Sequence, residues 1–240
     1  MKSKSRYKTA FLAAFPKTLP IMAGFLFLGM TYGILMRTRG FSFVYPMIMS
    51  MVIFAGSMEF VACNLLLGSF NPAQALLLTL MLNARHIFYG ISMLDKYKGL
   101  GAKKFYLIYG MCDESFSINY TAEIPPSVDR GLFMFFVTLL NQIYWVLGST
   151  LGGIFGSFIK FNTKGLDFVM TAMFVVIFLD QWLKEKNHFS SITGLILSLV
   201  SLVIARVVFG SNQFIIPAML AIFAALTFMR KPLEKKEAQS

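Results

Sequence analysis

The chain has 240 residues, of which 57% are hydrophobic and only 14% charged, with a mean hydropathy of +0.67. Soluble domains carry about a quarter charged residues, so this composition excludes a soluble enzyme or nucleic-acid-binding module and points to a single integral membrane domain over 1–240. The net charge of +11 is gathered into three clusters, four basic residues each in MKSKSRYK, in DKYKGLGAKK (95–104) and in RKPLEKKEAQS at the C-terminus. Such clusters beside apolar segments face the cytoplasm and its anionic lipid; they report orientation and not a nucleic-acid partner.

The basic start runs into TAFLAAFPKT, which is interrupted by Pro16 and Lys17 and offers no cleavage site. It reads as a retained cytoplasmic or interfacial lead-in, not a signal peptide. A membrane helix needs roughly 20 apolar residues. By that measure the chain predicts segments at about 18–36, 44–68, 72–94, 104–123, 132–159, 166–183, 190–209 and 214–229. Short turns such as GSFNP (68–72), EIPPSVDRG (123–131) and FNTKG (161–165) connect them, and Trp182 suits an interfacial anchor. The expected fold is an all-α polytopic membrane protein with about seven or eight membrane segments.

Parity raises a conflict. Three segments separate the first two basic clusters and five separate the second from the third, yet clusters on one side require even numbers. Either the 95–104 loop departs from the positive-inside rule, or one segment in each half does not cross as a simple helix. The expected exceptions are the first segment, with Pro20, Gly24, Gly29 and Gly33, and the fifth, with Gly148, Gly152, Gly153 and Gly156. These also suggest an internal repeat, with halves of about 1–103 and 104–240. A shift of 119 residues lays Gly29 and Gly33 on Gly148 and Gly152, and Glu59–Arg85 and Asp180–Arg206 share a spacing of 26. Paired glycine-interrupted segments point to a transporter site; glycines that merely let helices pack closely are the alternative.

Charge inside lipid is expensive, about 2.5–3.5 kcal/mol for Asp, Arg or Lys at a helix centre. Glu59, Arg85, Asp113, Glu114, Asp180 and Arg206 all fall within or near the ends of apolar segments. They are therefore expected to face one another or a wet interior. At helical spacing Asn83, His86 and Gly90 share one stripe, and Arg85, Tyr89 and Ser92 another. His86 beside Arg85 is a candidate proton carrier. A set of ion pairs that only fixes helix association remains the alternative.

No cofactor or metal is expected. His86 and His188 are far apart and outside any HExxH frame, there is no GxSxG elbow, and Cys63 and Cys112 read as packing residues. An enzyme is not expected; a non-transporting scaffold subunit and a passive channel stay open beside a transporter.

FAGSMEF (54–60), LNARHIFYG (82–90) and DES (113–115) resemble the signature blocks of the AzlC family, and the glycines around Gly29 and Gly33 and the Trp145–Gly148–Gly152 region fit it. The resemblance covers nearly the whole chain. It implies the large subunit of a bacterial branched-chain amino acid exporter in the plasma membrane, working with a small, very hydrophobic partner of the AzlD type; with His86 and the acids in its apolar segments, transport coupled to protons is expected. Where the family commonly has Gln, this chain has Glu59, which could alter the substrate, add proton coupling or pair with Arg85. A zwitterion needs a cation for its carboxylate and an acid for its amine, roles that Arg85 and one of Glu59, Asp113 or Glu114 could fill.

Overall fold

The computed structural model describes residues 2–69, 71–158, 168, 171–172, 175, 178–179, 182–183, 188–209, 224 and 228. Every regular element among the described residues is helical: α1 (Lys2–Thr38), α2 (Val44–Val52), α3 (Gly56–Leu67), α4 (Pro72–Leu82), α5 (Arg85–Met93), α6 (Lys103–Tyr109), α7 (Asp113–Thr121), α8 (Arg130–Phe155) and α9 (Phe189–Phe209). Among them α1 and α8 are long and apolar enough to cross a membrane, as are α4 and α5 if that pair is one span. The chain forms two compact units, one of residues 1–70 with 82–166 and one of 71–81 with 167–240.

In the second unit α4 starts as its sequence dictates. Asn71 Oδ1 accepts from the N–H groups of Ala73 (3.1 Å) and Gln74 (3.2 Å), and Pro72 occupies the first helical position, where a missing N–H costs nothing. The apolar run of α9 ends in a turn carrying Arg206, whose side chain is exposed.

The first unit is built on α1 and α8, which lie side by side and parallel. Arg6 pairs with Asp129, Phe11 meets Phe136, Thr18 meets Tyr144, Phe25 meets Trp145, and Arg37 lies against Gly156. At 1.5 Å per residue the 37 residues of α1 span about 55 Å, well beyond a hydrocarbon core of about 30 Å. The expected lead-in is thus the first part of this helix, which continues through Pro16 and Pro20.

The expected interruptions at Gly29, Gly33, Gly148 and Gly152 are corrected by the same observation: both helices run unbroken through them. The glycines serve approach instead. A Cβ on Gly148 would stand 2.9 Å from the Leu26 carbonyl oxygen, and one on Gly152 would overlap the Met30 carbonyl.

The chain breaks elsewhere, in the middle of the second, third and fourth apolar segments. Between α2 and α3, Phe54 adopts φ +45°, a left-handed conformation that is uncommon for a bulky residue and marks stored strain. Asn83 and Ala84 separate α4 from α5, so Asn83 is not part of a continuous helical stripe with His86 and Gly90. Gly110, Met111 and Cys112 separate α6 from α7. There Ser115 Oγ accepts from the Cys112 N–H (2.9 Å) and donates to the Gly110 carbonyl (3.1 Å), tying the turn to the new helix.

The α6–α7 pair is a hairpin. Lys103 lies beside Gly131 at the start of α8, and Gly110 reaches Thr138. The chain then returns, so that Asn119 and Ala122 lie with Arg130 and Met134. The fourth apolar segment therefore begins and ends at the same end of α8. That end also carries Arg6, through its 2.5 Å pair with Asp129, so the first two basic clusters lie together at one end of α8. The segment that turns back on itself is the fourth, whereas the fifth runs as one unbroken helix.

Asp129 starts α8 as its N-cap, with Oδ1 accepting from the Leu132 N–H at 2.9 Å. That hydrogen bond, with Arg6 adding to it, holds its carboxyl below the usual range. Asp129→Ala should lower stability by about 1 kcal/mol, little of it from the exposed Arg6 pair. Because the native-state pKa is depressed, this contribution is complete above about pH 4 and disappears as pH falls through the native value. Thermal unfolding in detergent should separate the variant from wild type at pH 7, and the gap should narrow as pH falls below about 4.

Candidate functional site

The breaks meet near the middle of α8. Tyr109 and Gln142 both donate to the Met51 carbonyl, Gln142 at 3.0 Å, and Tyr106 donates to Gln142 Oε1 at 2.6 Å. One turn on, Gly56 lies against the Trp145 ring, where a Cβ would stand 2.9 Å from the indole.

At the tip of the α6–α7 hairpin, Asp113 Oδ2 pairs with Arg85 Nη1 at 2.8 Å. Each side chain is 30% exposed, so neither ion is fully stripped of water. Asp113 and Glu114 occupy the first turn of α7, where the helix dipole favours anions. Arg85 opens α5, where the dipole opposes a cation, so its partner must supply the compensation. The two helices then run alongside each other, with Tyr89 stacked on Phe116 at 4.3 Å. His86 packs edge-on against Tyr89, and its Nδ1 lies 3.2 Å from the Asn83 carbonyl oxygen. Glu114 is half-buried beside Cys112.

Three buried atoms here make no hydrogen bond: Arg85 Nε, Asp113 Oδ1 and Asn83 Oδ1. Tyr89 places its hydroxyl beside Asp113. The ion pair thus retains one buried cationic donor and one acceptor, with Asn83 Oδ1 as a second acceptor beside it, which is the complement of a group carrying both a carboxylate and an ammonium.

Glu59 stands in a different setting. It is fully buried in the first turn of α3. Oε1 accepts from Trp145 Nε1–H (2.9 Å) and the Ala55 N–H (3.1 Å), while Oε2 makes no hydrogen bond. Tyr32 stacks on Trp145 at 6.4 Å and lies 5.3 Å from Phe60, closing an aromatic wall around the acid. Glu59 does not pair with Arg85; that cation is held by Asp113.

The structure thus brings Asn83, Arg85, His86 and Asp113 together, sets Glu114 beside Cys112, and gives Glu59 a separate cage. Gly29, Gly33, Gly148 and Gly152 lie on the α1–α8 seam. Asp180 lies outside the described residues, and Arg206 is exposed on α9. Sequence reasoning missed Trp145 as the partner of Glu59 and Tyr89 as a neighbour of Asp113. A tryptophan in mid-segment, away from either interface, was the available signal for the first.

The AzlC protein family matches residues 20–159, which include all three breaks and the whole of α8. The branched-chain amino acid transport protein AzlC of Bacillus subtilis is 68% identical, over 99% of this chain and 92% of its own length. An uncharacterized membrane protein of Haemophilus influenzae is 51% identical over 93% of this chain and 91% of its own, and the inner membrane protein YgaZ of Escherichia coli is 24% identical over 74% and 75%. No solved structure matches the chain. With a family match across the broken helices and likeness along nearly the full length, this chain is a membrane protein that belongs to the AzlC family.

Proposed function

We propose that this protein moves amino acids across the bacterial plasma membrane, exporting branched-chain or related hydrophobic ones. The observation that carries the reading is the Arg85–Asp113 pair, whose unpartnered Arg85 Nε, Asp113 Oδ1 and Asn83 Oδ1 complement a zwitterion. Arg85 takes the substrate carboxylate and Asp113 the ammonium, with Asn83 and His86 at the rim and Glu114 behind them. The name of the Bacillus subtilis relative supports the substrate class. In this reading the single transporter domain has about seven or eight segments in two related halves, with Asp180 and Arg206 as the second-half counterparts of Glu59 and Arg85. A small hydrophobic subunit of the AzlD type completes it.

Proton coupling belongs to Glu59, a buried acid with donors around it and no cation among its partners. A glutamine would keep the acceptor that Trp145 and Ala55 use. Glu59→Gln should therefore fold and insert at the wild-type level, while uptake into everted vesicles, the direction of export, loses its dependence on a proton gradient. Uptake by this variant that still follows the gradient would remove Glu59 from the coupling step.

The test of the function is intracellular leucine, isoleucine and valine after a dipeptide load, in cells lacking export, with and without the protein and its small partner. Faster efflux and lower retention are expected. Unchanged retention with both proteins present in the membrane would overturn the reading.

A further inference from the structure

At the basic end of the first unit, away from the Arg85–Asp113 pair, a cavity of about 270 Å³ is lined by Lys96, Asn119, Ala122, Ile124, Arg130 and Met134. Three elements bring them there: the turn after α5, the end of α7 with the loop beyond it, and the first turns of α8. Arg130 is exposed and makes no ion pair among the described residues. The neighbouring acid, Asp129, is already engaged by Arg6 and the Leu132 N–H. Lys96 is half-buried, donates to the Tyr120 carbonyl and sits 4.4 Å above the Tyr120 ring. These contacts fix its position without neutralising its charge.

Asn119 adds the second, independent observation. It is only 1% exposed, yet neither its amide nitrogen nor its amide oxygen makes a hydrogen bond of ordinary geometry, although Tyr97 lies beside it. A buried amide left open in this way costs free energy unless something in the cavity meets it. Two cations and an amide donor around one cavity call for an oxyanion. Ala122, Ile124 and Met134 in the same lining suit the carbon chain of an ester rather than a bare, fully hydrated ion.

We infer that Lys96, Arg130 and Asn119 form a binding site for a phosphate-class oxyanion, met either by the phosphodiester of an anionic phospholipid or by a soluble phosphate. Two basic clusters converge on this end of the molecule, where anionic headgroups concentrate, and the cavity opens to the surface there. The inference does not rest on the transport reading, and its test involves no transport.

The experiment is thermal unfolding of the full-length protein in a neutral detergent. It is titrated with dioleoylphosphatidylglycerol, with dioleoylphosphatidylcholine, and separately with inorganic phosphate against chloride at matched ionic strength. A rise in Tm with phosphatidylglycerol but not phosphatidylcholine is expected, with apparent affinity at least tenfold weaker in Arg130→Gln and Lys96→Gln. Lys98→Gln, an exposed position paired with Asp95, should keep the full response. A response to phosphatidylglycerol alone assigns the site to lipid; one that phosphate also produces, and chloride does not, assigns it to a soluble oxyanion. No rise with any phosphate probe, or an equal rise in wild type and Arg130→Gln, would overturn the site. Asn119→Ala supplies a check independent of net charge: it should weaken the response without abolishing folding, and an unaltered response would overturn the role given to the amide.

Discussion

Arg85→Gln should abolish amino acid efflux while leaving the protein folded and in the membrane. Charge-assisted hydrogen bonds contribute about 1.5–3 kcal/mol each, so losing a guanidinium fork for a carboxylate should cost at least a hundredfold in transport at low substrate. The fold should survive because the pair is only partly buried and water can reach the Asp113 left behind. Arg85→Lys separates charge from geometry: it keeps the cation, loses the planar fork, and should give an intermediate rate with a raised half-saturation concentration. Asp113→Asn removes the ammonium partner and should fail as Arg85→Gln does. If the pair only held α5 to α7, the reversed pair Arg85→Asp with Asp113→Arg would restore efflux along with stability. Under the transport reading it restores stability alone, because the carboxylate and ammonium sites are exchanged between elements. Efflux, and unfolding of the purified variants in detergent, decide between the two.

Much of this site was legible in the sequence for one reason: lipid makes charge conspicuous. Arg85 and Asp113 stood out because apolar segments surround them, and the need for a partner or water followed from cost alone. The pairing did not follow. Four acids were available, and choosing among them required the α6–α7 hairpin, which brings Asp113 to the start of α5. That hairpin is hard to read because FYLIYGMC looks like the first half of a crossing. Its returning helix, DESFSINYT, is polar enough that a hairpin was open to inference.

The broken helices were expected in the right kind and at the wrong places. Glycine signalled a break in LPIMAGFLFLGMTYG, but glycine in a membrane helix has two uses, interruption and close approach. The neighbouring helix decides which applies, and nothing within α1 alone reveals that α8 lies against it. The real breaks carry weaker marks, a strained Phe54 in FAGS and an asparagine in LNAR. The register of 119 residues that suggests a repeat is also the register at which α1 and α8 lie side by side, with Gly29 at Gly148 and Gly33 at Gly152. Matching glycines are required by that contact whatever the ancestry of the two halves.

Gly33→Val should prevent this seam from forming and remove folded protein from the membrane. A Cβ at Gly33 would overlap the Ser149 carbonyl oxygen and stand 2.5 Å from the Gly153 nitrogen and 2.8 Å from the Gly152 carbonyl carbon. All three are backbone atoms inside a helix, so no rotamer change can yield and the helices themselves must separate. Overpacking a core costs about 1–3 kcal/mol where side chains can adjust; here the cost should exceed that range, a large share of a total stability of about 5–15 kcal/mol. The damage would extend to the site, because Tyr32 precedes Gly33 and packs on both Trp145 and Phe60, the wall that holds Glu59. Gly24 is the internal control. It lies in the same helix with nothing within 4 Å of its position for a Cβ, so Gly24→Ala should be neutral or stabilise by about 0.4–1 kcal/mol through the unfolded chain. Measuring the yield of monodisperse protein and its Tm for both variants tests the seam directly. Equal behaviour of Gly24→Ala and Gly33→Val would mean that α1 and α8 do not meet at Gly33, and the parallel pairing that positions Trp145 over Glu59 would fall with it.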